Sequence, residues 1–251
     1  MDRVKVLACI PARYGSTRFP GKVLAKDTGK FLIQHTWEQA RKAKSLDRVI
    51  IAADDTKIRD SALSFGAESV LTSPDHPSGT DRIAEAAADS DADIVVNLQA
   101  DEPEIDPKNI DFLVKIAIDN PDCPMATLAA PFQTPAQVAD PNIVKVITDS
   151  KGRAIYFSRC PIPYDRDRAG IGDIHKYLRH LGIYAYRKDF LAALTSLPQG
   201  DLEQTERLEQ LRVLENGYRI IVGKVEHFCD GIDTPEQYQE FVRRYKNRQT
   251  S

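Results

Sequence analysis

Arg13, Arg18 and Lys22 fall in one stretch, Ile10-Pro11-Ala12-Arg13-Tyr14-Gly15-Ser16-Thr17-Arg18-Phe19-Pro20-Gly21-Lys22. Glycine lets backbone N–H groups approach oxygens closely, and cations offset the charge of phosphates, so the stretch has the chemistry of a phosphate-holding loop. It is not a Walker A loop. Gly15 and Gly21 enclose one residue too many, and Val23 follows Lys22 where a magnesium-binding hydroxyl would stand. Nor does it contain G-x-G-x-x-G, so the dinucleotide fingerprint is missing. A kinase, an ATPase and a simple dinucleotide binder are set aside on this loop, and a basic surface loop remains the plain alternative.

Two carboxylates could answer those cations. The apolar run DIVVNL runs straight into Gln99-Ala100-Asp101-Glu102-Pro103, which carries Asp101, and Asp233 precedes Thr234-Pro235-Glu236. A hard cation such as Mg²⁺ takes oxygen ligands, often one or two carboxylates plus substrate phosphates. A turn or capping role is the alternative for each. Ser78-Gly79-Thr80-Asp81-Arg82 opens a helix whose N–H groups could meet a base or phosphate, or Ser78 could simply cap it. Arg82 could face solvent. Arg159 could grip a carboxylate in a two-pronged contact or pair with any nearby acid. His180 in a strand is either a packed, hydrogen-bonded histidine or a site residue. Glu209 and Gln210 flank the apolar side marked by Leu208, Leu211 and Leu214; they could reach a polyol or water.

These residues need elements to position them. Residues 4–10 read as a buried strand, 31–43 as an amphipathic helix and 48–53 as a second strand. Asp55 caps a helix over 56–65, which Gly66 stops. Strands at 69–72 and 93–98 follow, with an alanine-rich helix between them, and Asp106-Pro107 opens another helix. This alternation predicts an α/β protein with a mostly parallel sheet and helices on both faces. Ligands of such sheets bind beyond the carboxyl ends of the strands. The loops 11–22, 72–82 and 99–103 all lie at that end and converge on one site. Further strands are expected at 126–131, 144–148, 154–158, 178–186 and 219–225, the second and third of these as a hairpin. A mobile polar loop is expected at 165–176, and a long helix at 202–215. Thr234, Pro235 and Gln237 cap the last helix at N-cap, N1 and N3.

A chain of 251 residues buries a sizeable core and forms one large domain or a domain with an insert. With 42% hydrophobic and 28% charged residues it is composed as a globular protein, which excludes disorder as the default. A net charge of −3 argues against a nucleic-acid partner. Cys9, Cys123, Cys160 and Cys229 are far apart without zinc spacing, and read as free thiols in a reducing compartment. The first apolar run is too short for a signal segment, and no window is long and apolar enough to span a membrane.

Taken in order, IPARYGSTRFPGK, HPSGTDRIAE, VNLQADEP, ATLAAP, VKVITD, YFSRCPIPYDRDR, LRHLGIYAYR, LEQLRVLENG and GIDTPE closely resemble the 3-deoxy-manno-octulosonate cytidylyltransferase (CMP-Kdo synthetase) family over nearly the whole chain. The resemblance implies a nucleotide-diphospho-sugar-transferase-type, Rossmann-like α/β fold and a cytoplasmic homodimer. It implies coupling of CTP to the sugar acid Kdo, with release of diphosphate and use of Mg²⁺, for lipopolysaccharide biosynthesis. It divides a single domain into a mainly nucleotide-binding part (1–122), a mainly sugar-binding and dimerisation part (123–230), and a metal-site turn with the last helix (231–251). Carried over by position, Ala12, Arg13, Ser16, Arg18, Lys22, Ser78 and Arg82 bind the nucleotide, and Asp101 and Asp233 hold Mg²⁺. Gln99, Arg159, His180, Tyr184, Glu209 and Gln210 line the sugar pocket. Arg13, Lys22, Asp101 and Asp233 form the catalytic set. The family usually has glycine where this chain has Ala100, and Cys160-Pro161 departs from its common small residues after Arg159. Both put the preferred sugar acid in question: Kdo, its 8-amino analogue or sialic acid. A non-catalytic nucleotide-binding protein on the same fold is the rival of another class. Lys22, Asp101 and Asp233 together argue against it.

Overall fold

The computed structural model describes residues 3–15 and 19–249. They form two compact units, 1–111 with 229–251 and 112–228. In the first unit, strands β1 (Val6–Ala12), β2 (Arg48–Ala53), β3 (Glu68–Leu71) and β4 (Ile94–Asn97) lie in the order β3-β2-β1-β4, every pair parallel. The apolar runs of β1 and β4 suit strands covered on both faces, whereas β3, at the edge of this order, is partly exposed. The register of β1 with β2 extends to Ala12↔Ala53, so the chain after both strands leaves at one edge.

Helices α1 (Leu32–Ala40), α2 (Thr56–Ser64) and α3 (Gly79–Ala87) connect these strands. The Asp55 side chain accepts from Lys57 N and caps α2, and Gly66 follows at φ 84°, as the sequence predicts. The alanine-rich helix α3 begins at Gly79, inside the stretch read as loop, because Ser78 caps it. The unit closes with α9 (Pro235–Gln249), whose Tyr238, Phe241 and Val242 pack on Leu32 of α1 and on Ile232. Burying each large apolar side chain contributes about 1.5–3 kcal/mol. That contact brings the segment before α9 back to a sheet more than a hundred residues earlier.

Helix α4 (Pro107–Asp119) contains the boundary between the units. In the second unit β5 (Met125–Pro131) pairs antiparallel with β8 (Leu178–Arg187) and parallel with β9 (Ile220–Lys224). Strands β6 (Lys145–Thr148) and β7 (Ala154–Ser158) form the expected hairpin, and β6 also pairs with β8. Two helices carry no reading in the sequence, α5 (Pro135–Ala139) and α6 (Lys188–Ser196).

The long helix expected over 202–215 is instead two short ones, α7 (Asp201–Glu206) and α8 (Gln210–Glu215). Arg207 between them is left-handed at φ 53°. The break turns the carbonyls of Glu206 and Arg207 out of the helix ladder. Arg159 takes them, Nε to Glu206 O at 2.6 Å and one terminal nitrogen to Arg207 O at 3.4 Å. The polar loop at 165–176 is tied across its base by reciprocal hydrogen bonds between Asp165 and Gly170. All four cysteines are free, Cys9 and Cys123 buried, Cys160 and Cys229 exposed. Burial pushes the Cys9 thiol up to about 12, which leaves it inert. Among the described residues no helix is long and apolar enough to cross a membrane.

Candidate active site

A cleft of about 380 Å³ opens at the carboxyl ends of β1 and β4, lined by Pro11, Arg13, Gly15, Lys22, Val23, Gly79, Gln99, Ala100, Asp101 and Asp233. The three loops singled out in the sequence therefore converge as expected. Each contributes through a different device. After β1, Tyr14 N donates to Asp54 Oδ1 at 2.9 Å, which ties the basic loop to the end of β2. Gly21 N donates back to Tyr14 O at 3.2 Å. Gly21 sits at φ 67°, a conformation costly for a residue with a side chain, and this closes the loop onto the short 3-10 turn Lys22–Leu24.

Lys22 is the centre of the site. It is 8% exposed, and its ammonium donates to Asp101 Oδ2 at 2.6 Å, to Ile232 O at 2.6 Å and to Asp233 Oδ1 at 3.3 Å. All three N–H donors of the group are used. A lysine this buried needs compensating charge, and the two carboxylates supply it. Asp233 is held by the cap of α9: its N–H and that of Thr234 donate to Gln237 Oε1, and Gln237 N donates to Thr234 Oγ1. This is the reciprocal capping pattern read from the sequence. Asp101 is held through its own backbone, where Ile232 N donates to Asp101 O at 2.8 Å.

Asp101 and Asp233 are two hard oxygen donors whose charge already attracts one cation, the Lys22 ammonium. That donor set fits Mg²⁺ if phosphates and water complete the shell. Among the described residues no group of three or more His, Cys, Asp or Glu side chains could hold a metal ion without such help.

The other residues assigned to the nucleotide by the family resemblance have distinct surroundings. Arg13 is exposed at the rim, and Ala12 is fully buried at the end of β1. Ser16 and Arg18 lie outside the described residues. Ser78 Oγ accepts from Thr80 N and Asp81 N and donates to Asp81 Oδ2 at 2.6 Å, so its hydroxyl caps α3. Arg82 does not face solvent. It is 0% exposed, and one terminal nitrogen donates to Thr72 Oγ1 at 2.6 Å and Ser73 O at 3.0 Å. Its other terminal nitrogen and Nε have no hydrogen-bond partner, and Asp54 Oδ2 stands 4.0 Å away. Burial lowers its pKa, and Asp54 opposes that effect.

Of the six residues assigned to the sugar, Gln99 belongs to the first unit and lines the cleft. The other five belong to the second. There His180 is buried, its Nε2 is 3.0 Å from Thr127 Oγ1, and its ring packs against Phe157 and Tyr184 at 4.9 and 5.5 Å. Burial pushes its pKa down to about 3, so it is neutral at pH 7. Gln210 is buried at the start of α8, and Glu209 precedes it as N-cap. The guanidinium of Arg159 also donates to Pro141 O at 3.0 Å, so it holds three backbone carbonyls in this structure. Glu206 Oε2 accepts Arg159 N at 2.9 Å, Oε1 accepts Ser158 Oγ at 2.7 Å, and Lys145 Nζ donates to Arg159 O at 2.6 Å.

Sequence reasoning did not single out Asp54, Thr36, Glu206 or the Ile232 carbonyl. Asp54 had a signal, since Asp55 serves as the cap of α2 and leaves its neighbour over the carboxyl edge of the sheet. A backbone carbonyl such as that of Ile232 has none. Ala100 is buried and has no positive φ, so alanine in place of glycine strains nothing here.

The description of the cytidylyltransferase family matches residues 7–220. The chain is 51% identical over 242 residues to a 3-deoxy-manno-octulosonate cytidylyltransferase of Solibacter usitatus, covering 96% of this chain and 95% of that one. It is 46% identical over 245 residues to the protein of that name in Leptospira biflexa, covering 97% and 98%. Among solved structures, a CMP:2-keto-3-deoxy-manno-octonic acid synthetase complexed with CTP matches with a TM-score of 0.92 and 40% identity, over 97% of this chain and 99% of that one. A 4-diphosphocytidyl-2C-methyl-D-erythritol synthase from Anaerococcus prevotii shares the fold at a TM-score of 0.63 and 14% identity, over 97% and 99%.

Proposed function

Since the chain belongs to the cytidylyltransferases, within the 3-deoxy-manno-octulosonate cytidylyltransferase family, we propose that it couples CTP to Kdo, giving CMP-Kdo and diphosphate. The observation that carries this reading is the convergence of Lys22, Asp101 and Asp233 in one cleft at the carboxyl edge of the parallel sheet. A protein that only holds a nucleotide has no need of two carboxylates around a buried lysine.

The anomeric hydroxyl of the sugar acid attacks the α-phosphorus of CTP. A new phosphorus–oxygen bond forms, the bond from the α-phosphorus to the oxygen it shares with the β-phosphate breaks, diphosphate leaves with the electron pair, and the hydroxyl's proton passes to water. The chain's task is to orient the reactants and stabilise charge. Arg13 at the rim and Lys22 within the cleft neutralise charge on the α-phosphate and the departing diphosphate. Lys22 can serve phosphate oxygens only when its ammonium is released from the carboxylates. Asp101 and Asp233 would hold Mg²⁺, which when bound neutralises phosphate charge and acidifies a nearby hydroxyl. Ser78, through the cap of α3, fixes the helix start that brings Gly79 into the cleft lining. Gln99, Arg159, His180, Tyr184, Glu209 and Gln210 are assigned to the sugar acid. His180, held neutral, is a hydrogen-bonding and packing group in that role. A cytoplasmic homodimer serving lipopolysaccharide biosynthesis completes the reading.

The test is diphosphate release with CTP, Mg²⁺ and a panel of Kdo, its 8-amino analogue and sialic acid, with ATP, GTP and UTP as controls. Release only with CTP plus Kdo is expected. Release with another acid moves the substrate, and no release from folded protein overturns the reading. Light scattering checks the dimer.

A further inference from the structure

Thr36 stands in the interior of α1 and is fully buried. A β-branched residue loses side-chain freedom in a helix, and a buried hydroxyl is costly without a partner. The usual partner of a helical threonine is a carbonyl of its own preceding turn. Thr36 Oγ1 instead donates to Ala100 O at 3.1 Å, 64 residues along the chain.

That carbonyl belongs to the peptide joining Ala100 to Asp101. The next peptide, between Asp101 and Glu102, is held by Ile232 N through Asp101 O at 2.8 Å. The two peptide planes that flank the Asp101 α-carbon are thus each fastened by a separate element, one by α1 and the other by the turn before α9. Fixing both planes fixes the direction of the bond from the α-carbon to the side chain. The Asp101 carboxylate then has little freedom left except rotation toward Lys22 Nζ, 2.6 Å away.

We infer that Thr36 is a positioning residue: its hydroxyl orients the Ala100–Asp101 peptide and thereby aims the Asp101 carboxylate. The inference rests on the proposed role of Asp101 in holding the divalent cation.

Thr36→Val removes the hydroxyl and keeps the shape, and Thr36→Ser keeps the hydroxyl. Each is assayed for melting temperature, kcat, KM for CTP and the Mg²⁺ concentration giving half-maximal rate. Binding of Mn²⁺ in the presence of CTP is followed by electron paramagnetic resonance. In Thr36→Val, half-saturation by Mg²⁺ and Mn²⁺ is expected to rise about fivefold and kcat to fall about tenfold. The KM for CTP should stay within about twofold. Thr36→Ser is expected to recover both within about twofold. A merely structural threonine would lower the melting temperature and leave metal half-saturation unmoved. That result, or Thr36→Ser failing as badly as Thr36→Val, overturns the inference. Should Thr36→Val not fold, Thr36→Ala is read by the same criteria. Absence of turnover in the unmodified protein refutes the proposed function instead; an active protein with an unaffected Thr36→Val refutes only the positioning role.

Discussion

Replacing Lys22 by methionine removes the ammonium while keeping most of the buried stem. The structure allows the cost to be worked out. The ammonium satisfies the Asp101 carboxylate, the Asp233 carboxylate and the Ile232 carbonyl together. Losing one partner of a fully buried ion pair costs about 3–5 kcal/mol. Here the Asp101 and Asp233 side chains are 29% and 47% exposed, so water takes over part of the role, and a loss of about 1–3 kcal/mol is the better figure. For a chain of this length that is a fall in melting temperature of roughly 3–10 °C. The two carboxylates would then face each other without a cation, which is what a divalent ion relieves. Millimolar Mg²⁺ without nucleotide is therefore expected to raise the melting temperature of Lys22→Met more than that of the unmodified protein, where the ammonium competes. Turnover is expected to fall by about 10²–10³, the usual cost of losing one charge-stabilising group. Thermal melts with and without Mg²⁺ decide the matter. Equal stability of the two proteins, or an equal response to Mg²⁺, would refute the idea that the Lys22 ammonium and a divalent cation compete for the Asp101 and Asp233 carboxylates.

Asp101→Asn keeps the size of the side chain and the backbone hydrogen bond from Ile232, so it should fold with an unchanged circular dichroism spectrum while turnover becomes undetectable; full activity would sink the metal assignment. Arg159→Ala is expected to raise the sugar KM and also to lower the melting temperature, because three backbone carbonyls lose their donor. Arg159→Lys should rescue neither, since it lacks the planar fork, and an unchanged sugar KM in both variants would exclude Arg159 from the sugar subsite. Burial pushes His35 down to about 4 and His180 to about 3, whereas the unfolded chain takes up these protons near 6.5. Their stabilising effect is thus full above pH 6.5 and is lost as pH falls, about 2 kcal/mol for each between pH 6.5 and 5. Denaturant melts at the two pH values check this. A His35→Gln variant whose stability falls as steeply as that of the unmodified protein would exclude His35 as a contributor.

The first unit is legible in the sequence because its signals are local. The run RVIIAA is β2 residue for residue, and Asp55, Ser78 and Thr234 cap the helices they precede. Asp101, Asp233 and Lys22 are legible as types at strand and helix ends. Their mutual contact is not, because it depends on the packing of α9 on Leu32. Thr36 hides on a core-facing helix side, where it reads as a tolerated neutral residue. The second unit fails differently. The segment LEQTERLEQLRVLE has helical propensity and a leucine pattern throughout, so nothing local marks the break at Arg207. At the break Arg159 takes the freed carbonyls of Glu206 and Arg207, and the Glu203–Arg212 pair at 2.6 and 2.7 Å joins α7 to α8 across it. Tertiary contacts override propensity there.

The last helix explains why a carboxylate from the end of the chain can serve a site built by its beginning. Asp233 lies one residue before the cap of α9, so its place is only as good as the seating of that helix. Seating comes from contacts of side chains outside the cleft lining. Tyr238, Phe241 and Val242 bury an apolar face against Leu32 and Ile232, and Tyr238 Oη accepts Asp27 N at 2.8 Å. The His35 ring, edge-on to Phe241 and Tyr245, adds a third contact from α1. Helix α1 therefore supports the chain beside both carboxylates, beside Asp233 by packing under α9 and beside Asp101 by the Thr36 hydroxyl on Ala100 O. One short helix, with no side chain in the cleft lining, thus sets the spacing of the pair that Lys22 bridges.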